Sequence, residues 1–167
     1  MADEIRIRPL RPEDVARVRA ITLEGFAAVS IDAAIERRWP GLLPTGWGER
    51  KWQMMQAEIC DHPEWCFVAE IGGDLVGYVT TALSQEHGVG RIPDLAVDAR
   101  YRGRGIGRRL LEHALAFFRG QGLKVARIET LAHNDAGRHL YPSVGFEEVA
   151  RQVHFAMRLD QGRGPKS

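Results

Sequence analysis

The stretch LAVDARYRGRGIG, residues 95–107, decides how the rest of the chain is interpreted. An apolar run comes first, a turn containing Gly103 and Gly105 follows, and a segment of helical apolar periodicity begins directly after it. Glycine adopts positive φ and carries no Cβ that would block a ligand. The successive N–H groups of such a turn, with the positive end of the next helix, form an anion site. Arg102 and Arg104 can add charge-assisted hydrogen bonds, so the pattern favours a diphosphate.

The same turn has competing interpretations. A tight connection between a strand and a helix needs no ligand, and the turn alone does not exclude it. A Walker loop requires Lys-Ser or Lys-Thr at its end, whereas Gly107 is followed by Arg108 and Arg109. A Rossmann fingerprint starting at Gly105 requires a third glycine where Leu110 stands. The residue types at these positions therefore exclude both nucleotide-binding motifs.

The surrounding sequence alternates between strand and helix patterns. The predicted strands are residues 5–8, 65–71, 75–83, 89–98, 125–131 and 146–159. The predicted helices are residues 12–26, 30–39, 48–60, 106–118 and 134–141. Two glycines at 72–73 predict a β-hairpin, and the crossover through the fourth helix makes the strands on either side of it parallel. The order predicts an α/β (α+β) fold with a mixed central sheet, an antiparallel meander and flanking helices.

Length and composition restrict the functional class. The 167 residues fit one domain over 1–160, and the Gly-, Pro- and Lys-containing tail 161–167 is expected to be disordered. A net charge of +1 offers no general attraction to nucleic acid, and no apolar run is long enough for a membrane helix. The two cysteines match no metal-binding spacing, so we expect no metal. An N-terminus without a signal-peptide pattern and reduced thiols predict a cytoplasmic protein.

Two motifs carry a family resemblance. RGRGIG at 102–107 resembles the Gln/Arg-x-x-Gly-x-Gly/Ala motif of the GCN5-related N-acetyltransferase (GNAT) superfamily, and Asn134 with LYPSVGF at 140–146 resembles its second signature. The similarity is specific over residues 92–146 and loose over 5–83. It implies that strands 89–98 and 125–131 splay apart and that acetyl-CoA enters between them, with its diphosphate at the glycine turn.

The resemblance also implies which residues hold acetyl-CoA. Backbone groups of Leu95, Ala96 and Val97 would pair with the pantetheine arm, and Asn134 would touch the same arm. The diphosphate would be bound by Arg102, Gly103, Arg104, Gly105, Ile106, Gly107 and Arg108. The plain alternative for Asn134 is a helix cap, and both roles are compatible.

Three residues are candidates for catalysis. Tyr141 matches the general acid of the family and would also contact the cofactor, although an aromatic anchor for a short helix explains it too. Glu129 resembles the acidic position of the branch that acetylates ribosomal-protein N-termini, and Asp94 is a second candidate base that would act through water. Either carboxylate has the alternative of a strand residue paired with arginine. Arg91 stands where histone-type members carry glutamate.

The function that the resemblance implies is direct transfer of an acetyl group from acetyl-CoA to a primary amine in a ternary complex. A non-catalytic acyl-CoA-binding regulatory module and a nucleotide-binding α/β domain are the alternatives. The acceptor, a small molecule or a peptide or protein amine, has no motif, and residues 27–62 are expected to shape its site. Dimers are common in the family, which leaves a homodimer open.

Overall fold

The structure, a computed structural model, describes residues 4–160. Its strands are β1 (Arg6–Pro9), β2 (Phe67–Ile71), β3 (Asp74–Val79), β4 (Ala82–Ser84), β5 (Val89–Ile92), β6 (Leu95–Val97) and β7 (Val125–Ile128). Its α-helices are α1 (Val15–Phe26), α2 (Ile31–Arg38), α3 (Trp47–Asp61), α4 (Ile106–Gly120) and α5 (Asp135–Ser143). The tail predicted to be disordered, 161–167, lies outside the described residues.

The predicted mixed sheet is divided into two parts. Four antiparallel strands lie in the order β1-β2-β3-β6, and three strands lie in the order β4-β5-β7, with β5 and β7 parallel as predicted. The division arises because both long predicted strands break, at 80–81 and at 93–94. Pro93 lacks the N–H that a continuing ladder requires. Two hydrogen bonds between Thr80 and Asp94, at 2.9 and 3.0 Å, keep the two breaks opposite each other.

Helix α4 packs on one face of the four-stranded sheet. Its buried residues are Ile106, Leu110, Leu111, Ala114 and Phe118, in keeping with the helical apolar periodicity of this segment. The contact is close because Gly77 in β3 has no side chain. A Cβ there would stand 3.0 Å from the carbonyl oxygen of Ala96 and 3.2 Å from Leu110. Because Gly77 carries no side chain, the N-terminus of α4 can lie close to β6.

Helices α1 and α3 cover the opposite face. Val68 and Tyr78 point into their core, whereas Ala69 and Val79 point toward α4, as the alternation of side chains along a strand requires. Three residues on one face of α3, Trp52, Met55 and Ile59, are buried in this second core. The sheet is therefore covered on both faces, and its functional groups lie at strand ends and edges.

The C-terminal segment differs from its prediction. Residues 146–159 read as a strand, but within the described chain residues 146–158 have no regular secondary structure. Val149, Phe155 and Leu159 are among the most exposed large apolar side chains of the protein. A strand needs a neighbouring ladder for its backbone N–H and C=O groups, and no strand of the described chain lies beside this segment.

Both cysteines, Cys60 and Cys66, are free thiols, as expected. Among residues 4–160 no helix is long and apolar enough to cross a membrane.

Candidate active site

A gap opens between the two sheets at the end of β5. Strands β5 and β7 pair as far as Ile92 and Ile128, after which the chain turns away and β6 pairs with β3 instead. Strand β6 is consequently the edge of its sheet, and within residues 4–160 no strand lies on its outer side. Unpaired backbone groups of an edge strand can bind an extended, amide-bearing chain. The predicted splay is therefore present, and Leu95, Ala96 and Val97 line it.

Asp98 anchors the turn that follows β6. The carboxylate is 2% exposed, forms a 2.8 Å ion pair with Arg100 and pairs with Arg17 of α1. It also accepts a 2.9 Å hydrogen bond from the backbone N–H of Arg100. The hydrogen bonds from Arg100 and Arg17 outweigh burial and hold the pKa of this carboxyl well below its usual range. The hydrogen bonds of Asp98 thus fix the position at which the glycine turn leaves β6.

The glycine turn opens toward solvent in front of α4. Gly103 has φ +76° and Gly105 has φ +78°, so both occupy the left-handed region that the sequence predicts for them. A Cβ at either position would meet nothing within 4 Å, so the surface above the turn is open. Gly105 is the N-cap of α4, and no side chain among the described residues caps the helix. The N–H groups of the first helical turn therefore lie beside an open surface, at the positive end of the helix dipole.

The residues predicted to bind the diphosphate divide into two groups. Arg102 and Arg104 are exposed beside the turn. The Arg104 guanidinium lies 5.2 Å from the centre of the Tyr101 ring, and Arg102 donates a 3.4 Å hydrogen bond to the carbonyl of Val97 in β6. Arg108 instead donates a 2.9 Å hydrogen bond to Ser143 of α5. Gly107 packs against α5 as well, because a Cβ there would stand 3.1 Å from Leu140. Arg108 and Gly107 therefore connect α4 to α5, in addition to any role at the diphosphate.

Tyr141, in the last turn of α5, lies beside a small polar network at the start of the same helix. Asn134 caps the helix by accepting a 3.4 Å hydrogen bond from the Gly137 N–H, and its amide donates a 2.8 Å hydrogen bond to the Thr130 hydroxyl. Burial raises the pKa of the Tyr141 phenol, and the nearby Thr130 hydroxyl offsets part of that rise. The ring also packs edge-to-face on Phe146 at 6.2 Å. A phenol held in this way keeps its proton, which a general acid requires.

Glu129 lies one residue beyond the end of β7. Its side chain is 66% exposed, 4.0 Å from Arg91 and 3.8 Å from Arg127. Arg91 also donates to Glu58 of α3 at 3.4 Å, so one guanidinium lies between two carboxylates. Burial, followed by the nearby charge of Asp94, raises the pKa of Glu58. Glu129 is therefore an accessible carboxylate in loose ion pairs.

Asp94 has a different environment. It is 3% exposed and forms an ion pair with Lys51 of α3, whose ammonium lies 4.5 Å from the centre of the Phe26 ring. Its backbone N–H donates to Thr80. The ion pair connects α3 to the break between β5 and β6. Because Asp94 is buried and already neutralised by Lys51, its carboxylate is a poor proton acceptor.

Comparison with known proteins supplies the family. A sequence profile described as Acetyltransferase (GNAT) family matches residues 30–146. This chain belongs to the GNAT family. It is 44% identical over 110 residues to the N-alpha-acetyltransferase RimI of Mycobacterium tuberculosis, covering 56% of this chain and 65% of that protein. The chain thus spans less than two thirds of that relative's length.

Solved GNAT structures share the fold. The PaiA N-acetyltransferase of Thermoplasma acidophilum, crystallised with coenzyme A, superposes with a TM-score of 0.69 at 19% identity and covers 86% of this chain and 90% of that one. The ribosomal-protein-S18-alanine N-acetyltransferase of Escherichia coli has a TM-score of 0.64 at 21% identity and covers 88% and 80%. At these identities the likeness establishes the GNAT fold alone.

The residues of this GNAT chain fit an acyl-coenzyme A. Three features match its parts: an open glycine turn at a helix N-terminus, exposed arginines beside it, and the edge of β6, which has no neighbouring strand on its outer side among the described residues. Among the described residues no group of three or more His, Cys, Asp or Glu side chains is arranged to hold a metal.

Sequence reasoning missed three members of this site: Lys51, Glu58 and Thr130. The first two come from α3, which carries no motif, and only packing brings them to the break after β5. Thr130 directly follows Glu129 and precedes Asn134 by four residues, but a lone threonine has no distinguishing pattern.

Proposed function

We propose that this chain is an acetyl-CoA-dependent N-acetyltransferase that acts on a primary amine by direct attack in a ternary complex. The observation that carries the proposal is that the open glycine turn directly follows β6, a strand that has no neighbouring strand on its outer side among residues 4–160. Backbone N–H groups at 103–108 would hold the diphosphate, and Leu95–Val97 would pair with the pantetheine amides. The thioester would then lie beside Tyr141 and Glu129.

The chain's own groups can perform the proton transfers. Acetyl-CoA supplies, when bound, the thioester whose C–S bond breaks as the C–N bond to the amine forms. Tyr141 donates its phenolic proton to the departing sulfur. Glu129 accepts the proton that the amine loses, directly or through one water, since it is the exposed carboxylate of the pair considered. Asp94 is the weaker candidate because it is already neutralised by Lys51.

Cysteine chemistry supports direct transfer rather than an acetylated enzyme. Burial raises the pKa of the Cys66 thiol to about 12, so this group is not a thiolate nucleophile near neutral pH. Cys60 is exposed in the last turn of α3, outside both signature motifs.

The acceptor that we propose is an α-amine, at the N-terminus of a peptide or protein. An α-amine has a pKa of about 7.7–8.0 and is partly neutral at pH 7, whereas a lysine amine is almost wholly protonated. Glu129, an exposed glutamate in loose ion pairs, is a base suited to the easier deprotonation of an α-amine. The relative named N-alpha-acetyltransferase points the same way.

The test is release of free thiol from acetyl-CoA with a panel of peptides, polyamines, aminoglycosides and free amino acids. We expect N-terminal peptides to be preferred. Glu129→Gln should lower kcat, but by less than the about 10²–10⁴-fold typical of a general base, because an α-amine is already partly neutral near pH 7. Glu13→Gln, which changes an exposed carboxylate in the turn before α1, should leave kcat unchanged. Saturable coenzyme A binding without thiol release from any amine would instead identify a regulatory binding module. Activity confined to lysine side chains or small amines would reject the α-amine assignment alone.

The cytoplasm remains the predicted compartment, and fractionation of cells with an antibody against the native chain tests it.

A further inference from the structure

The parallel strands β5 and β7 present one face to helix α4. Ile92 of β5 is buried in the same core as Phe118 of α4, and Ile128 of β7 packs against that core. Gly90 belongs to this face as well, because a Cβ there would stand 2.7 Å from the Phe118 ring. Side chains alternate along a strand, so the residues between these positions point away from α4.

The opposite face of β5 and β7 is open to solvent along much of its length. Val125 is 54% exposed, and the side chain of Arg127 is 64% exposed. Helix α3 borders this face where Glu58 lies 3.4 Å from Arg91. Glu129, the candidate base, lies on the same face, since its carboxylate pairs with both arginines. An acceptor that brings its amine to Glu129 therefore meets this face.

Two like charges lie side by side on this face. Arg91 of β5 and Arg127 of β7 are register partners, on strands that are about 4.8 Å apart. Like charges at neighbouring positions of two strands destabilise a sheet. The pair is thus unfavourable for folding, and an anion bound above it would compensate.

The counter-charges of the two arginines are unequal. Arg91 pairs with Glu58 at 3.4 Å and with Glu129 at 4.0 Å. The guanidinium of Arg127 has a single ion pair within residues 4–160, at 3.8 Å from Glu129, which is beyond hydrogen-bond distance. In the proposed reaction Glu129 takes up the proton of the amine and loses its charge. Arg127 is therefore the cation on this face that has the most to gain from an acceptor carboxylate.

Spacing along β7 indicates where that carboxylate must lie in the acceptor. Glu129 and Arg127 are two residues apart, about 6.6 Å along an extended strand, and Val125 follows about 6.6 Å further on. An extended peptide with its amine at Glu129 covers the same distances in the same number of residues. A side chain at its second or third position can therefore reach Arg127. One at its fifth position lies over Val125, where a charge finds no partner.

We infer that Arg127, with Arg91 beside it, is a specificity-determining residue that binds an acidic side chain at the second or third position of a peptide acceptor. This inference rests on the proposed function and deepens it. The acceptor is then an α-amine followed closely by aspartate or glutamate.

The test is binding of short fluorescent peptides that begin with alanine, measured by anisotropy in the presence of coenzyme A. A peptide with glutamate at the third position should bind about three- to tenfold more tightly than the same peptide with glutamine there. The preference should decrease at high salt because the arginines are exposed. Glutamate at the fifth position should give no advantage over glutamine.

Variants of the arginine assign the preference. Arg127→Gln should bring the ratio of the two dissociation constants to about one, and Arg127→Glu should favour lysine at the third position instead. Arg119→Gln, which removes an exposed charge from the last turn of α4, is the matched control and should keep the wild-type ratio. Because both peptides are measured on the same variant, an effect of the substitution on Glu129 or on folding cancels from the ratio.

Thiol release from acetyl-CoA with the same peptides provides a second measurement. The preference should appear in KM rather than in kcat, because the carboxylate is held equally in the ground state and the transition state. Equal dissociation constants for the two peptides, a preference that Arg127→Gln leaves intact, or no peptide binding would overturn the inference. Preferential binding without thiol release would reject the proposed reaction and retain the recognition of acidic N-termini. Thiol release with equal dissociation constants would do the reverse.

Discussion

Gly137 lies directly against the ring of Tyr141. A Cβ on Gly137 would stand 3.1 Å from Cε2 and 3.2 Å from Cζ of that ring, and 3.0 Å from the Asn134 amide nitrogen. The absence of a side chain on the buried first turn of α5 therefore sets where the phenol of the candidate general acid lies. Helix propensity alone would favour alanine at this position, by about 1 kcal/mol.

Gly137→Ala should lower activity without destabilising the fold. The methyl group moves the Tyr141 ring by a few tenths of an ångström, and since a misplacement of 1 Å can cost about 100-fold in rate, we expect kcat to fall several-fold. The gain in helix propensity offsets the steric cost, so the urea midpoint should change little. Gly120→Ala, where a Cβ meets nothing within 4 Å, is the control and should leave kcat unchanged. An unaltered kcat in Gly137→Ala would show that the position of the ring is not critical.

Tyr141→Phe should reduce kcat about 10²–10⁴-fold while the Kd for coenzyme A stays within a few-fold. The phenyl ring preserves the contact with Phe146 and loses only the hydroxyl. Isothermal titration and thiol release measure the two quantities separately. Full kcat in this variant with a verified acceptor would remove Tyr141 from the acid role.

The pH dependence follows from the same residue. Burial raises the pKa of Tyr141 above its ordinary value of about 10, so the phenol stays protonated across the neutral and mildly alkaline range. With an α-amine acceptor, kcat/KM should rise as the amine loses its proton near pH 8 and should not fall again below about pH 10. A decline between pH 8 and 9 in a protein that remains folded would contradict this.

Gly105→Ala should weaken coenzyme A binding. Gly105 caps α4 with φ +78°, where a side chain costs about 1–2 kcal/mol. When the turn relaxes to relieve that strain, its N–H groups no longer point at the diphosphate. We therefore expect the Kd for coenzyme A to rise about 5–30-fold, the equivalent of about 1–2 kcal/mol. Titration at two salt concentrations should show the same ratio, since the exposed arginines are unchanged. An unchanged Kd would show that the amides of this turn do not hold the ligand.

Asp98→Asn should destabilise the protein at pH 7 by about 2 kcal/mol, because it removes the charge of a buried carboxylate that pairs with Arg17 and Arg100. The pKa of Asp98 in the folded state lies below the unfolded value of about 3.9. Its contribution is therefore complete above about pH 5 and is lost as the pH falls through the folded-state pKa. Urea unfolding from pH 7 to 3 should show a shallower acid loss in the variant. Parallel curves would assign the acid sensitivity to other carboxylates.

Local patterns predicted most of the elements. The amphipathic period of α4, the two positive-φ glycines of the β2–β3 turn and the cap at Asn134 all depend on residues close in sequence, and all three are present. The glycine turn was predictable for the same reason, since φ is a property of single residues. What these patterns did not show is where the long strands break, because a break depends on which neighbour each half pairs with.

The order of elements, the glycine turn before α4 and the two family motifs can be inferred from local patterns, since each rests on contacts within a few residues. Four features emerge only once the chain is folded: Lys51 from α3 neutralises Asp94, Glu129 stays accessible, Gly137 sets the place of Tyr141, and residues 146–159 have no partner strand among residues 4–160. The reason is physical: burial, ion pairing and strand pairing are properties of groups far apart along the chain, and no local periodicity encodes which distant surface a side chain will meet.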